Sequence, residues 1–138
     1  MRITKEFTAL IGDRPGTLGE ICQSLADWRV NIIAFYAFTS GGICLLRMVV
    51  DDPVAAKKVL EQARLPYTEA EVVVARVPHR PGELGPSASK LGRANININY
   101  AYCGIEPGTN APLLIFGVAD AEMAAATLEQ AGAAAATS

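Results

Sequence analysis

Apolar and polar residues alternate from Ile3 to Ile11, with Ile3, Phe7, Ala9 and Ile11 in one phase and Thr4, Glu6 and Thr8 in the other. This period-2 pattern predicts a half-buried strand, and Lys5, in the apolar phase, is its one discord. Gly12 to Gly16 interrupts it, because Pro15 fixes φ and Gly16 admits turn conformations closed to other residues. From Thr17 to Arg29 the apolar positions Leu18, Ile21, Cys22, Leu25 and Trp28 recur at helical spacing, which predicts one face of an amphipathic helix. Asn31 to Phe38 predicts an apolar and aromatic strand, Ser40-Gly41-Gly42 a hairpin turn, and Ile43 to Val50 the return strand. That return strand is apolar on both faces except at Arg47. If helices cover one face, the other must meet another sheet. Asp52-Pro53 then supplies an N-cap and first-turn proline for a helix through Ala63, with its stripe at Ala55, Ala56, Val59, Leu60 and Ala63.

Tyr67 to Val77 continues without a break, long enough to close one unit and open the next. Val73, Ala75 and Val77 lie 66 residues after Phe7, Ala9 and Ile11. At the same offset Asp13-Arg14-Pro15-Gly16-Thr17-Leu18-Gly19 returns as His79-Arg80-Pro81-Gly82-Glu83-Leu84-Gly85. Each stretch is answered fifteen residues after its Pro-Gly glycine by Asn-Ile, at Asn31-Ile32 and Asn97-Ile98. A repeat of fixed period defines the architecture before any single element does. It predicts two units, residues 1–70 and 71–138, in the order strand, helix, strand, strand, helix, strand. In the second unit the helix runs from Glu83 to Arg93 through Leu84, Ala88, Leu91 and Ala94, with Pro86 in its first turn. Asn97 to Cys103 and Pro112 to Val118 form the hairpin, and Asp120 caps the last helix. After Gly132 only the small-residue tail 133–138 remains. The closing strand of this unit is therefore missing, frayed or supplied by another segment. The expected class is α+β: two tandem ferredoxin-like βαββαβ units with antiparallel sheets and helices on one face.

Composition narrows the function. A unit of about 70 residues buries only roughly 60% of its unfolded surface. With 51% hydrophobic residues, the halves are expected to pack on each other and on a second chain, giving a homodimer. A net charge of −2 and pI near 5.4 leave no electrostatic footprint for nucleic acid or an anionic membrane. No apolar run approaches membrane-spanning length, and the N-terminus reads as no signal region. Cys22, Cys44 and Cys103 form no CxxC or Cys/His cluster, so they read as reduced core thiols of a cytoplasmic protein. His79, the only histidine, has no nucleophile beside it to activate. No catalytic residue, metal or cofactor is expected, and a small enzyme on this scaffold ranks low. Phe35, Tyr36, Phe38, Tyr100 and Tyr102 could stack bases as the sheet aromatics of RNA-recognition motifs do. The basic framing for that is absent, and they read as core and interface.

Asp13-Arg14-Pro15-Gly16-Thr17-Leu18, then a helix, then Val30-Asn31-Ile32 resembles the ACT domain, the amino-acid-sensing module of metabolic enzymes. The second copy, His79 to Leu84 with Ala94 to Ile98, resembles it again, so the chain looks like a stand-alone tandem ACT protein. The resemblance implies a ligand, typically an amino acid, where the loop after strand one faces the start of strand two of a neighbouring unit. The implied site residues are Asp13, Arg14, Gly16, Thr17 and Leu18 with Asn31 and Ile32, and His79, Gly82 and Leu84 with Asn97 and Ile98. Backbone N–H groups at a helix N-terminus suit a carboxylate, and a side-chain amide both donates and accepts. Asp13 stands where the serine-sensing ACT domain of phosphoglycerate dehydrogenase often has Asn; its charge favours an ammonium and repels a carboxylate. In the second copy His79 takes that place and Glu83 adds negative charge.

The competing reading makes the Arg-Pro-Gly loops simple strand-to-helix turns and lets Asn31 and Asn97 satisfy backbone at a strand start. Two copies in register favour a binding loop. The sequence thus points to a non-catalytic sensor binding an amino acid or related metabolite between ACT-like units and regulating amino-acid metabolism. The alternative is a regulatory subunit that docks onto a separate metabolic enzyme, its own ligand binding lost, for which the small-subunit ACT domain of acetolactate synthase is the nearest analogy.

Overall fold

The N-terminal alternation becomes β1, Arg2–Ile11, and the helical stripe after it becomes α1, Thr17–Asp27. There follow β2 Ile32–Ser40, β3 Ile43–Val50, α2 Pro53–Gln62, β4 Tyr67–Arg76, α3 Leu84–Arg93, β5 Tyr100–Ile105, β6 Pro112–Gly117 and α4 Ala121–Thr137. This computed structural model describes residues 2–137, apart from the side chains of 130–137. The fold is α+β, and the chain divides into two units, Lys5–Ala70 and residues 2–4 with 71–137.

In the first unit β3 pairs antiparallel with both β1 and β2, with Phe7 opposite Met48 and Ser40 opposite Ile43. Gly41 and Gly42 close the hairpin at φ 58° and 77°, the left-handed pair that a two-residue type I′ turn requires. Phe7, Ala9, Ile11, Leu46, Met48 and Val50 share one face and pack with Ile21 and Leu25 of α1 and Ala56, Val59 and Leu60 of α2. Asp52 caps α2 by accepting from the Ala55 N–H at 3.0 Å. Both α1 and α2 end in a Schellman motif. Val30 N–H bonds Leu25 O and Leu65 N–H bonds Leu60 O, with Arg29 and Arg64 left-handed.

The opposite sheet face is closed at one end, where Val49, Ala34 and Glu6 are buried, and open at the other, where Leu10, Phe38 and Ile43 are exposed. The alternation puts Glu6 in the polar phase with Thr4 and Thr8, yet only 1% of it is accessible. Alternation assigns a side, not whether that side is wet. A carboxylate in such a place must be paired, and Arg47, the one polar break in β3, lies 3.7 Å from it. Arg47 also donates to Thr8 Oγ1 at 3.1 Å and to the Tyr36 hydroxyl, and lies over the Tyr36 ring.

The start of β4 belongs to the first unit: Leu10 N–H donates to Pro66 O, Lys5 pairs with Glu69, and Tyr67 meets Phe7 edge-on. In the second unit β6 lies between β4 and β5, with Val73 opposite Phe116 and Tyr100 opposite Gly117. Its core joins Val73, Ala75, Leu114 and Phe116 to Leu91 of α3 and Ala121, Ala124 and Leu128 of α4. Pro86 sits in the first turn of α3, where it costs no intrahelical hydrogen bond. β5 begins at Tyr100 rather than Asn97; the Asn97 amide instead donates to Asn99 Oδ1 at 3.0 Å. The small-residue tail continues α4 to Thr137, as alanine-rich sequence favours. No strand follows α4 among the described residues. Residues 2–4, the start of β1, group with this unit.

Candidate functional site

The first Arg-Pro-Gly loop is a type II turn. Pro15 holds its second position, Gly16 its third at φ 93° and ψ −14°, and Thr17 N–H meets Arg14 O at 3.4 Å. Gly82 takes φ 87° after Pro81, so the left-handed glycine is repeated along with the sequence. Thr17 Oγ1 lies 2.5 Å from Gly12 O and 3.1 Å from Arg14 O, which ties the helix start to the strand end. Gly16 is the N-cap of α1 and brings no side chain to its first N–H groups; that end carries the positive pole of the helix.

Beside this turn lies a cleft of about 240 Å³. Ile11, Ile21, Ala63 and Leu65 form its apolar floor; Arg14, Thr17, Glu20 and Ser24 form its polar rim. The guanidinium and carboxylate of Arg14 and Glu20 meet fork to fork at 3.5 and 3.3 Å, with side chains 63% and 65% exposed. So exposed a pair contributes roughly 0–1 kcal/mol. It costs little to open, and both charges remain available.

The residues implied by the resemblance are not all gathered here. Arg14 and Thr17 line the cleft, Gly16 shapes the turn, and Leu18 packs against the first core. Asp13 accepts from Thr39 at 3.5 Å, at the end of β2. Asn31 and Ile32 lie at the other end of that sheet. Ile32 is opposite Val50, whereas Ile11 is opposite Cys44; the residues between them along β3 span about 20 Å at ~3.3 Å each. Asn31 N–H donates to Asp51 Oδ1 at 2.8 Å, its carbonyl accepts from Asp51 N–H, and Ile32 packs on the core. Within one unit, the loop meets the end of strand two but not its start.

In the second copy His79, Gly82 and Asn97 are exposed, Leu84 is half-exposed, and Ile98 packs against the second core. Arg80 pairs with Glu83 inside its own turn. Sequence reasoning missed Glu20, Ser24 and Leu65. Glu20 follows Arg14 by six residues, a spacing no helix or strand period singles out, and Leu65 arrives from the end of α2.

Burial raises the Cys22 thiol above its ordinary range, which suits a packed side chain rather than a nucleophile. Cys44 is half-buried, but Cys103 is exposed. The core reading fails there because Cys103 falls on the open phase of β5. Among the described residues no three His, Cys, Asp or Glu gather as metal ligands, and no helix is long and apolar enough to cross a membrane.

Several solved structures share the fold. A protein of Bacteroides thetaiotaomicron aligns over 94% of this chain and 89% of its own at 22% identity, with a TM-score of 0.83. The ligand-free regulatory subunit of aspartate kinase from Thermus thermophilus aligns over 95% and 97% at 16% identity, with a TM-score of 0.64. The regulatory subunit of aspartate kinase from Thermus flavus aligns over 94% and 95% at 17% identity, with a TM-score of 0.60. At such identities the likeness concerns the fold alone. No curated protein matches. The ACT domain pair model does match, across residues 1–131, and the chain belongs to that family.

Proposed function

We propose that this chain is a non-catalytic regulatory module that binds an amino acid or a related metabolite beside its first Arg-Pro-Gly turn, and that it acts in amino-acid metabolism as a homodimer. The observation that carries the reading is the cleft itself. A guanidinium, a carboxylate and two hydroxyls rim an apolar floor, next to an uncapped helix N-terminus. Its volume of about 240 Å³ is on the scale of one small metabolite. Family membership supports the same reading, and so does the fold shared with regulatory subunits of aspartate kinase. Asp13, whose charge would repel a carboxylate, is turned toward Thr39. Ligand binding would act by favouring one packing arrangement over another, through its differential affinity for the two.

Thermal denaturation against the twenty amino acids and their keto-acid relatives tests this. A ligand at 100 times its Kd stabilises by ~2.7 kcal/mol, which raises Tm by roughly 5–10 °C in a chain of this size. A panel without a responding compound refutes the reading.

A further inference from the structure

We infer that Arg14 and Glu20 form a clamp for the head group of a free α-amino acid, and that the floor beneath them selects a short aliphatic side chain. The inference rests on the amino-acid-binding reading of this cleft and names the ligand class and the residues that recognise it. The guanidinium of Arg14 presents a planar fork matched to a carboxylate. The carboxylate of Glu20 is an acceptor matched to an ammonium. In the structure the two satisfy each other at 3.3–3.5 Å, longer than the ~2.7–2.9 Å of a tight charge-assisted contact. A zwitterion entering between them exchanges one pair for two, and neither residue is left without a counter-charge. A keto acid or an amine, carrying one of the two charges, leaves one residue unmatched.

The floor sets the rest of the ligand. Ile11 and Ile21 are 7% and 4% accessible and give a fixed apolar base, which Ala63 and Leu65 extend. A charged side chain would lose its hydration there without a partner. An aliphatic side chain meets apolar atoms there and gives up no polar hydration.

The repeat supplies an internal control. At the offset of 66 residues Arg14 corresponds to Arg80, but Thr17, Glu20 and Ser24 correspond to Glu83, Pro86 and Lys90. Arg80 instead pairs with Glu83 within its own turn. The second copy has the turn without the clamp, so one chain binds one amino acid.

Calorimetric titration of the full chain with glycine, alanine, valine, isoleucine and leucine tests the inference, together with the carboxamide and N-acetyl derivatives of whichever binds. The expected result is one molecule per chain, with affinity reduced at least tenfold by Arg14→Gln, by Glu20→Gln and by either derivative. Both side chains are largely exposed, and near-ultraviolet circular dichroism verifies that the variants stay folded. The derivatives test the clamp on the unaltered chain as well. Binding that survives both substitutions, or that tolerates both derivatives, overturns the clamp and leaves the amino-acid reading standing. Two molecules per chain overturn the assignment to the first copy alone. If none of these five binds, the selection of a short aliphatic side chain is overturned; if the thermal panel of all twenty is also without response, the proposed function falls and the clamp falls with it.

Discussion

Alanine placed at Gly16 and at Gly82 measures what the repeated turn costs the backbone. Both glycines are left-handed, at φ 93° and 87°, and a Cβ at either would meet nothing within 4 Å. The penalty is therefore conformational and not steric. A non-glycine residue in the left-handed region costs ~1–2 kcal/mol. Alanine recovers about 0.5–1 kcal/mol of that by restricting the unfolded chain. Each substitution should destabilise by about 1 kcal/mol. The two sites lie in different units, so the double variant should lose about 2 kcal/mol. Urea denaturation reads this directly: at an m-value of roughly 2 kcal/mol/M each change lowers the midpoint by about 0.5 M with m unchanged. No loss at either site would mean that the glycines are not held left-handed, and the turn argument fails. A loss above about 3 kcal/mol at either would mean a clash that the open space around them excludes.

The opposite substitution should stabilise: Arg29 and Arg64 are exposed and left-handed at φ 57° and 56°. Arg29→Gly and Arg64→Gly should each add about 0.5–1 kcal/mol, and a fall in the denaturation midpoint would contradict the Schellman assignment. The cysteines should separate by reactivity. Exposed Cys103 should react with a maleimide at neutral pH, whereas Cys22, its pKa raised by burial, should react slowly and accelerate as pH rises above 9. Because the folded value lies above the unfolded one, the stability Cys22 contributes is complete below the unfolded pKa and fades as pH climbs through the folded one. Equal labelling rates for the two thiols at pH 7 would refute the assignment.

Much of the fold is legible in the chain alone. The period of 2 in β1, the helical stripe from Leu18 to Leu25, the Asp52-Pro53 start and the glycines of the hairpin each act locally, through backbone preference and neighbouring side chains; Trp28, expected on that stripe, is instead the exposed C-cap of α1. The repeat extends that reading to the second unit, and the family resemblance follows from its motif. What failed depended on distant partners. Glu6 looks solvent-facing because alternation reports phase, while its burial is decided by what closes the second face of the sheet. Its partner Arg47 stands out in the sequence only as a break in an apolar run. Asn97 to Asn99 read as the start of a strand because the repeat sets Asn97-Ile98 against Asn31-Ile32, but the ladder with β6 begins at Tyr100.

The site divides the same way. Arg14, Gly16 and Thr17 are marked by a motif whose proline and glycine dictate a turn, so the sequence alone points to them. Glu20 joins them because that turn folds the Arg14 side chain back along the first turn of α1, and the floor forms because α2 delivers Ala63 and Leu65 to the same place. Asn31 and Ile32 belong to the same motif in sequence, yet α1 carries the chain back along the sheet before β2 begins, leaving them at its opposite end. Local chemistry determines the turn, but only tertiary packing decides which charges and apolar side chains it faces, because those come from segments with no sequence proximity to declare them.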